Sequence, residues 1–185
     1  MSGLPAAGRP SARLFWGASL VVVLLDFVTK RLAERFLFPP GFPREILGDV
    51  VRFTLAYNPG AAFSMSLGSD TVSRIVFGTF ALIALFVLWK LYRESNEIER
   101  MKVFGLGLAW GGAAGNLIDR LRSQAGVVDF IDVGVGSTRF WTFNVADLGV
   151  TLGAVLLALL LLREEESDSE SVPATTPLPT ESTSP

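Results

Sequence analysis

The chain predicts an α-helical polytopic membrane protein with four transmembrane helices and a small β-sheet platform on one side. Half of its 185 residues are hydrophobic and the mean hydropathy is +0.45, a membrane profile rather than a soluble one. Long apolar runs end at charged residues. Two of the connections between those runs are too long to be turns and carry the alternating pattern of half-buried strands.

The elements follow in chain order. Residues 1–10 are small and turn-prone and are expected to be flexible. An uncharged apolar run covers residues 14–25, preceded by Arg9 and Arg13. A cleaved signal peptide is the plain alternative, but no small-residue cleavage site follows. The run continues instead through Asp26 and Lys30, so the first span is set at about 11–32. The apolar run 75–89, flanked by Arg74 and Lys90, predicts a span at about 72–91. A third span, about 101–121, contains Gly107, Gly111 and Gly115 at four-residue spacing, which lets helices approach closely. A fourth, about 144–162, ends at Arg163. The domain therefore runs from 11 to 163. Residues 164–185 are acidic and rich in Ser, Thr and Pro, and are expected to be disordered.

Between the first two spans, Val51, Phe53, Leu55 and Tyr57 alternate with Arg52, Thr54 and Ala56. Asn58, Pro59 and Gly60 follow as a turn. Between the third and fourth, the β-prone run 127–131 is followed by a turn at Gly134 and Gly136. Two spans separate these loops, so they share a side and can pair into a sheet. The basic residues do not set the orientation: seven of the 16 lie on the side of the termini and nine on the other.

Composition narrows the chemistry. With no cysteine and no histidine, the chain cannot form a disulfide, a thiol nucleophile, a Ser-His-Asp triad or the common zinc sites. A hydrolase is left with a carboxylate pair, a Ser-Lys pair such as Lys30 with Ser64, or a carboxylate-bound cation. A net charge of −2 gives no sign of nucleic-acid binding.

Asp129 and Asp147 are the candidate catalytic pair. Both lie at edges of apolar stretches on the same side of the membrane, and Asp147 falls near the start of the fourth helix, where the dipole favours negative charge. Carboxylates at membrane depth are expensive, and two held close in a low dielectric cannot both ionise easily. The plain alternatives are an N-terminal helix carboxylate for Asp147 and a strand-end residue near water for Asp129. Asn58, Asn116 and Asn144 are uncharged hydrogen-bonding candidates, with helix and turn capping as the alternative. Arg120, four residues from Asn116, either binds a carbonyl or lipid ester oxygen or pairs with Asp119 while snorkelling. Asp26 and Lys30, also four apart, read as a structural ion pair. Gly60, with Ala61 and Ala62, offers either a small surface for a passing peptide backbone or a tight turn. Asp132 reads as loop. Other readings are a proton-coupled transporter and a noncatalytic scaffold assembling through the glycine face of helix three.

These motifs together resemble the lipoprotein signal peptidase (signal peptidase II) family. Asp26 and Lys30 match its acid–lysine pair. Residues 58–64 match Asn-x-Gly-Ala-Ala-Phe-Ser, and 115–120 match Gly-Asn-x-x-Asp-Arg. Residues 127–130 match Val-Val-Asp-Phe, and 143–147 match Phe-Asn-x-Ala-Asp. The resemblance implies a bacterial aspartyl endopeptidase with Asp129 and Asp147 catalytic and no metal or other cofactor. Asn58, Gly60, Asn116, Arg120 and Asn144 would bind or orient substrate, with the three asparagines also orienting the aspartates, and Asp26, Lys30 and Asp119 would be structural. The substrate it implies is a diacylglyceryl-modified prolipoprotein, cut before the lipidated cysteine. It further implies an inner-membrane location with termini cytoplasmic and sheet and active site extracytoplasmic. The expected partners are these substrates and membrane lipids, with the protein a monomer.

Overall fold

The computed structural model describes residues 10–60, 70–96 and 98–170. Four long helices and a four-stranded sheet are present among them. Helix α1 (Ala12–Phe36) leads to strands β1 (Arg44–Leu47) and β2 (Val51–Asn58). Helices α2 (Asp70–Glu94) and α3 (Arg100–Arg122) follow, then β3 (Val127–Val135), β4 (Thr138–Arg139) and α4 (Val145–Glu170). The sheet order is β1-β2-β3-β4, antiparallel throughout. The two strands expected from the long loops pair with each other, Ala56 opposite Asp129 and Tyr57 opposite Val128.

Among the described residues, three helices are long and apolar enough to cross a membrane: Ala12–Phe36, Thr71–Glu94 and Val145–Arg163. Helix α3 is comparably long but glycine-rich and charged at both ends, which lowers its hydropathy. It packs against α1, α2 and α4. The glycine stripe explains the closeness of α1. A methyl group at Gly107 would lie 2.7 Å from the Phe15 carbonyl oxygen, and one at Gly111 2.7 Å from that of Ser19. Ser19 Oγ uses the approach to donate to the Gly107 carbonyl at 2.9 Å. The face that the alternative scaffold reading would use for assembly is thus occupied by the chain's own first helix. Away from the sheet, the bundle closes on Phe15, Tyr92, Val103 and Leu106, with Phe15 stacked on Tyr92 at 4.2 Å.

Two boundaries differ from expectation. Helix α1 runs on to Phe36 because Arg31, Glu34 and Arg35 are good helix formers beyond the apolar run. Helix α4 runs on to Glu170, into the segment expected to be disordered. Its glutamates extend an existing helix without needing a buried face. Residues 1–9 and 171–185, which carry the expectations about the flexible N-terminus and the rest of the tail, lie outside the described residues.

Asp132 is not loop but part of β3, and it is buried. Its carboxylate accepts from Thr54 Oγ1 at 3.0 Å, Arg52 Nε at 3.3 Å and Arg139 Nε at 2.8 Å. Burial pushes this carboxyl up, but the hydrogen bonds from Arg139 and Thr54 and the charges of Arg139 and Arg52 outweigh it and hold it below the usual range. Because Arg52 and Arg139 also bind Asp49, the knot ties the β1–β2 turn to β3 and β4.

Candidate active site

At the sheet end of the bundle, β3 and the first turn of α4 deliver Asp129 and Asp147 to one residue, Asn144. The Asn144 Nδ2 donates to Asp129 Oδ1 at 2.6 Å, and the Asn144 backbone N–H donates to Asp147 Oδ2 at 3.1 Å. In return, Asn144 Oδ1 accepts from the Asp147 N–H at 3.0 Å. This reciprocal pair is a capping box with aspartate as its acid, so the turn that starts α4 also fixes Asp147. Asn144 is completely buried, and its Nδ2 also lies 3.3 Å from the Val128 carbonyl and 3.1 Å from Asn116 Oδ1.

Asp129 is 4% exposed. Its other oxygen accepts from Asn58 Nδ2 at 3.3 Å. Burial, and then the negative charge of Asp147, push its pKa up to about 7 against hydrogen bonds from Asn144 and Asn58 and the charge of Lys30. Asn58 Oδ1 meanwhile accepts from the Gly60 N–H at 3.0 Å, closing a turn at the end of β2. Gly60 has φ +116°, and a methyl group there would meet the Phe77 ring at 2.4 Å. Ala61, Ala62, Phe63 and Ser64, the rest of that motif, lie outside the described residues.

Beneath the acids sits a fully buried lysine. Lys30 Nζ contacts Asp26 Oδ2 at 2.8 Å, Asp119 Oδ2 at 2.9 Å and Asn116 Oδ1 at 3.0 Å, using all three ammonium donors. Each partner reaches on towards the acids. Asn116 Nδ2 donates to Asp147 Oδ1 at 2.7 Å. Asp26 Oδ1 accepts the Ala146 N–H at 2.8 Å, holding the start of α4. Asp119 Oδ2 accepts the Val128 N–H at 3.2 Å, holding β3 beside Asp129. With its donors committed, Lys30 cannot serve as the base of a Ser-Lys pair.

Arg120 does not pair with Asp119, whose oxygens are taken by Lys30, Arg31 and Val128. Its guanidinium donates to the Asn116 carbonyl at 3.1 Å and lies 5.9 Å from the Phe77 ring centroid, while its Nε is buried without a partner among the described residues. Phe77, which backs both Gly60 and Arg120, was not singled out in the sequence, where it is one aromatic in an apolar helix. Gly126 was also missed. It has φ +92°, and a methyl group there would lie 2.1 Å from the Asn58 carbonyl oxygen. Its place just before the Val-Val run was the available signal. Among the described residues, no cluster of three or more metal-ligating side chains converges.

A helical membrane protein with a buried acid–amide centre at the sheet end of its bundle is the class this fold and site define. The comparisons agree. A bacterial membrane enzyme structure obtained by the in meso method at 2.3 Å superposes with a TM-score of 0.76 at 25% identity, covering 92% of this chain and 99% of that one. A second, at 1.9 Å, gives 0.74 at 26% identity, covering 86% and 99%. Residues 18–163 match the family model described as Signal peptidase (SPase) II. The lipoprotein signal peptidase of Mycobacterium tuberculosis (strain H37Rv) is 40% identical over 167 residues, 86% of this chain and 77% of that protein. That of Coxiella burnetii (strain RSA 493) is 43% identical over 147 residues, 78% and 86%. The chain belongs to the signal peptidase II family.

Proposed function

We propose that Asp129 and Asp147 are the catalytic dyad of this bacterial membrane peptidase. As a signal peptidase II, it removes signal peptides from prolipoproteins. The reading is that it cuts before a diacylglyceryl-modified cysteine. The observation that carries the dyad is Asn144, one buried residue whose side-chain amide donates to Asp129 and whose backbone N–H donates to Asp147. Burial and the negative charge of Asp147 hold Asp129 up to about 7, so near neutrality a proton is available on that acid. The more buried Asp129 is the better holder of that proton.

The chemistry then balances without a metal or other cofactor. The ionised carboxylate takes a proton from water as its oxygen bonds to the scissile carbonyl carbon, and the protonated carboxyl gives its proton to the carbonyl oxygen. The tetrahedral diol collapses as the carboxyl that took water's proton gives it to the amine nitrogen, the C–N bond breaks, and the other carboxylate takes back a proton from a diol hydroxyl. Asn58, Asn116 and Asn144 hold the dyad. Gly60, packed against Phe77, closes the turn that holds Asn58 beside Asp129 and so helps orient the substrate there. Arg120 has a buried nitrogen to offer a substrate oxygen. Asp26, Lys30 and Asp119 are structural.

Helix α3, enclosed by three neighbours, is read as the fourth span, within a protease domain of residues 11–163. The termini are cytoplasmic, and the sheet and dyad face the extracytoplasmic side of the inner membrane. The enzyme works as a monomer, because one chain supplies every group in the network, with membrane lipids around it. The test is a cell-free assay with a lipid-modified precursor. Asp129→Asn and Asp147→Asn should insert normally and each lose roughly 10²–10⁴-fold in cleavage rate. Full cleavage by either rejects the dyad.

A further inference from the structure

The sheet has a second face with no part in this chemistry. Successive side chains of β3 point to opposite faces, so Phe130 turns away from Asp129 and packs with Ala33, Leu37, Leu55 and Val128. Beside that cluster lies a cavity of about 260 Å³ lined by Thr29, Leu32, Ala33, Phe36, Phe53 and Phe130. Its rim residues Leu32 and Phe36 are 48% and 58% exposed, and they continue the exposed stripe of Leu25 and Val28 along a helix apolar enough to span a membrane. The cavity therefore opens onto hydrocarbon.

A cation lies beside its rim residue Phe36. Arg35 occupies the last turn of α1, with its guanidinium 5.5 Å from the ring of Phe36. Among the described residues no carboxylate pairs with it, and the neighbouring Glu34 is taken by Arg31. An apolar slot open to the bilayer, with an uncompensated guanidinium where the span ends, has the layout of a phospholipid: acyl chain below, phosphate above.

We propose that this cavity binds one anionic phospholipid, its acyl chain between α1 and the back of β2 and β3 and its phosphate on Arg35. The site is separate from the substrate's. It rests on the membrane reading of α1 and is independent of the catalytic one. The lipid chain packs against Phe130, on the strand that carries Asp129.

Full-length protein in detergent is equilibrated with equal amounts of phosphatidylglycerol and phosphatidylcholine of matched chains, and retained lipid is measured by native mass spectrometry. The unsubstituted protein should retain phosphatidylglycerol with a preference of ~5-fold, about what one arginine gains beside a net-anionic headgroup over a zwitterionic one. Arg35→Gln should bring the preference near unity, and Thr29→Trp, which fills the slot, should abolish retention. Equal retention of the two lipids by the unsubstituted protein overturns the proposal. So does undiminished retention in Thr29→Trp. If thermal melting shows that Thr29→Trp does not fold, Leu32→Trp fills the slot from the rim, and unchanged retention there is equally decisive.

Discussion

Asp129 sets the pH behaviour. Its carboxyl is held up to about 7 from an ordinary 3.8, by burial first and Asp147 second. Below about 3.8 both folded and unfolded chains hold the proton. Between there and about 7 only the folded chain does, so folding loses stability as pH rises, by about 4 kcal/mol in total. Asp129→Asn cannot ionise. Its melting temperature relative to the unsubstituted protein should climb between pH 4 and pH 8, as thermal unfolding in detergent would show. Cleavage by the unsubstituted enzyme should fall as pH rises through about 7, when the proton on Asp129 leaves. The pair was an expectation from acids at the edges of apolar runs and from the family motifs, and that same resemblance had the asparagines orient the acids. What one dimension did not say is which groups Asn144 uses, since nothing in it tells that a residue capping a helix also reaches a strand on the far side of a loop.

Between elements, the Lys30 cluster joins α1, α3, β3 and α4. Lys30→Met would leave Asp26 and Asp119 buried without their cation, a change that costs about 3–5 kcal/mol. It should lower the melting temperature and disorganise the start of α4, so that activity falls with stability. The sequence pointed to the Asp26–Lys30 pair by its helical spacing, but the third partner, Asp119, comes from another helix and lay outside that logic. The glycines allow a sharper comparison. A methyl group at Gly111 meets backbone at 2.7 Å, while one at Gly17 meets nothing within 4 Å. Gly111→Ala should therefore destabilise by about 1–3 kcal/mol, and Gly17→Ala should be neutral or stabilising by up to about 1 kcal/mol, as paired melting curves would show. Four-residue spacing announced close packing without naming the partner. The ion knot around Asp132 stayed hidden for a similar reason: Arg52 and Arg139 meet it only after the strands pair.

For the molecule as a whole, the four-span reading puts the two ends of α3 on opposite sides of the membrane. Because the chain lacks cysteine, one can be introduced at will. Ile98→Cys, at a position 84% exposed before α3, and Gln124→Cys, just beyond it, should react with a membrane-impermeant maleimide from opposite sides. Labelling of both from the same side would remove α3 from the spans and overturn the four-span topology. Hydropathy alone does not decide this, since a central helix needs small residues and polar contacts more than it needs grease.

The bond from the Ala146 N–H to Asp26 crosses 120 positions of chain. Asp26 is synthesised first, and the backbone it caps is added 120 residues later. Asn144 and Asp147 lie beside that backbone, so the contact that seats the start of α4 forms only after both strands of the central pair, β2 and β3, have been made.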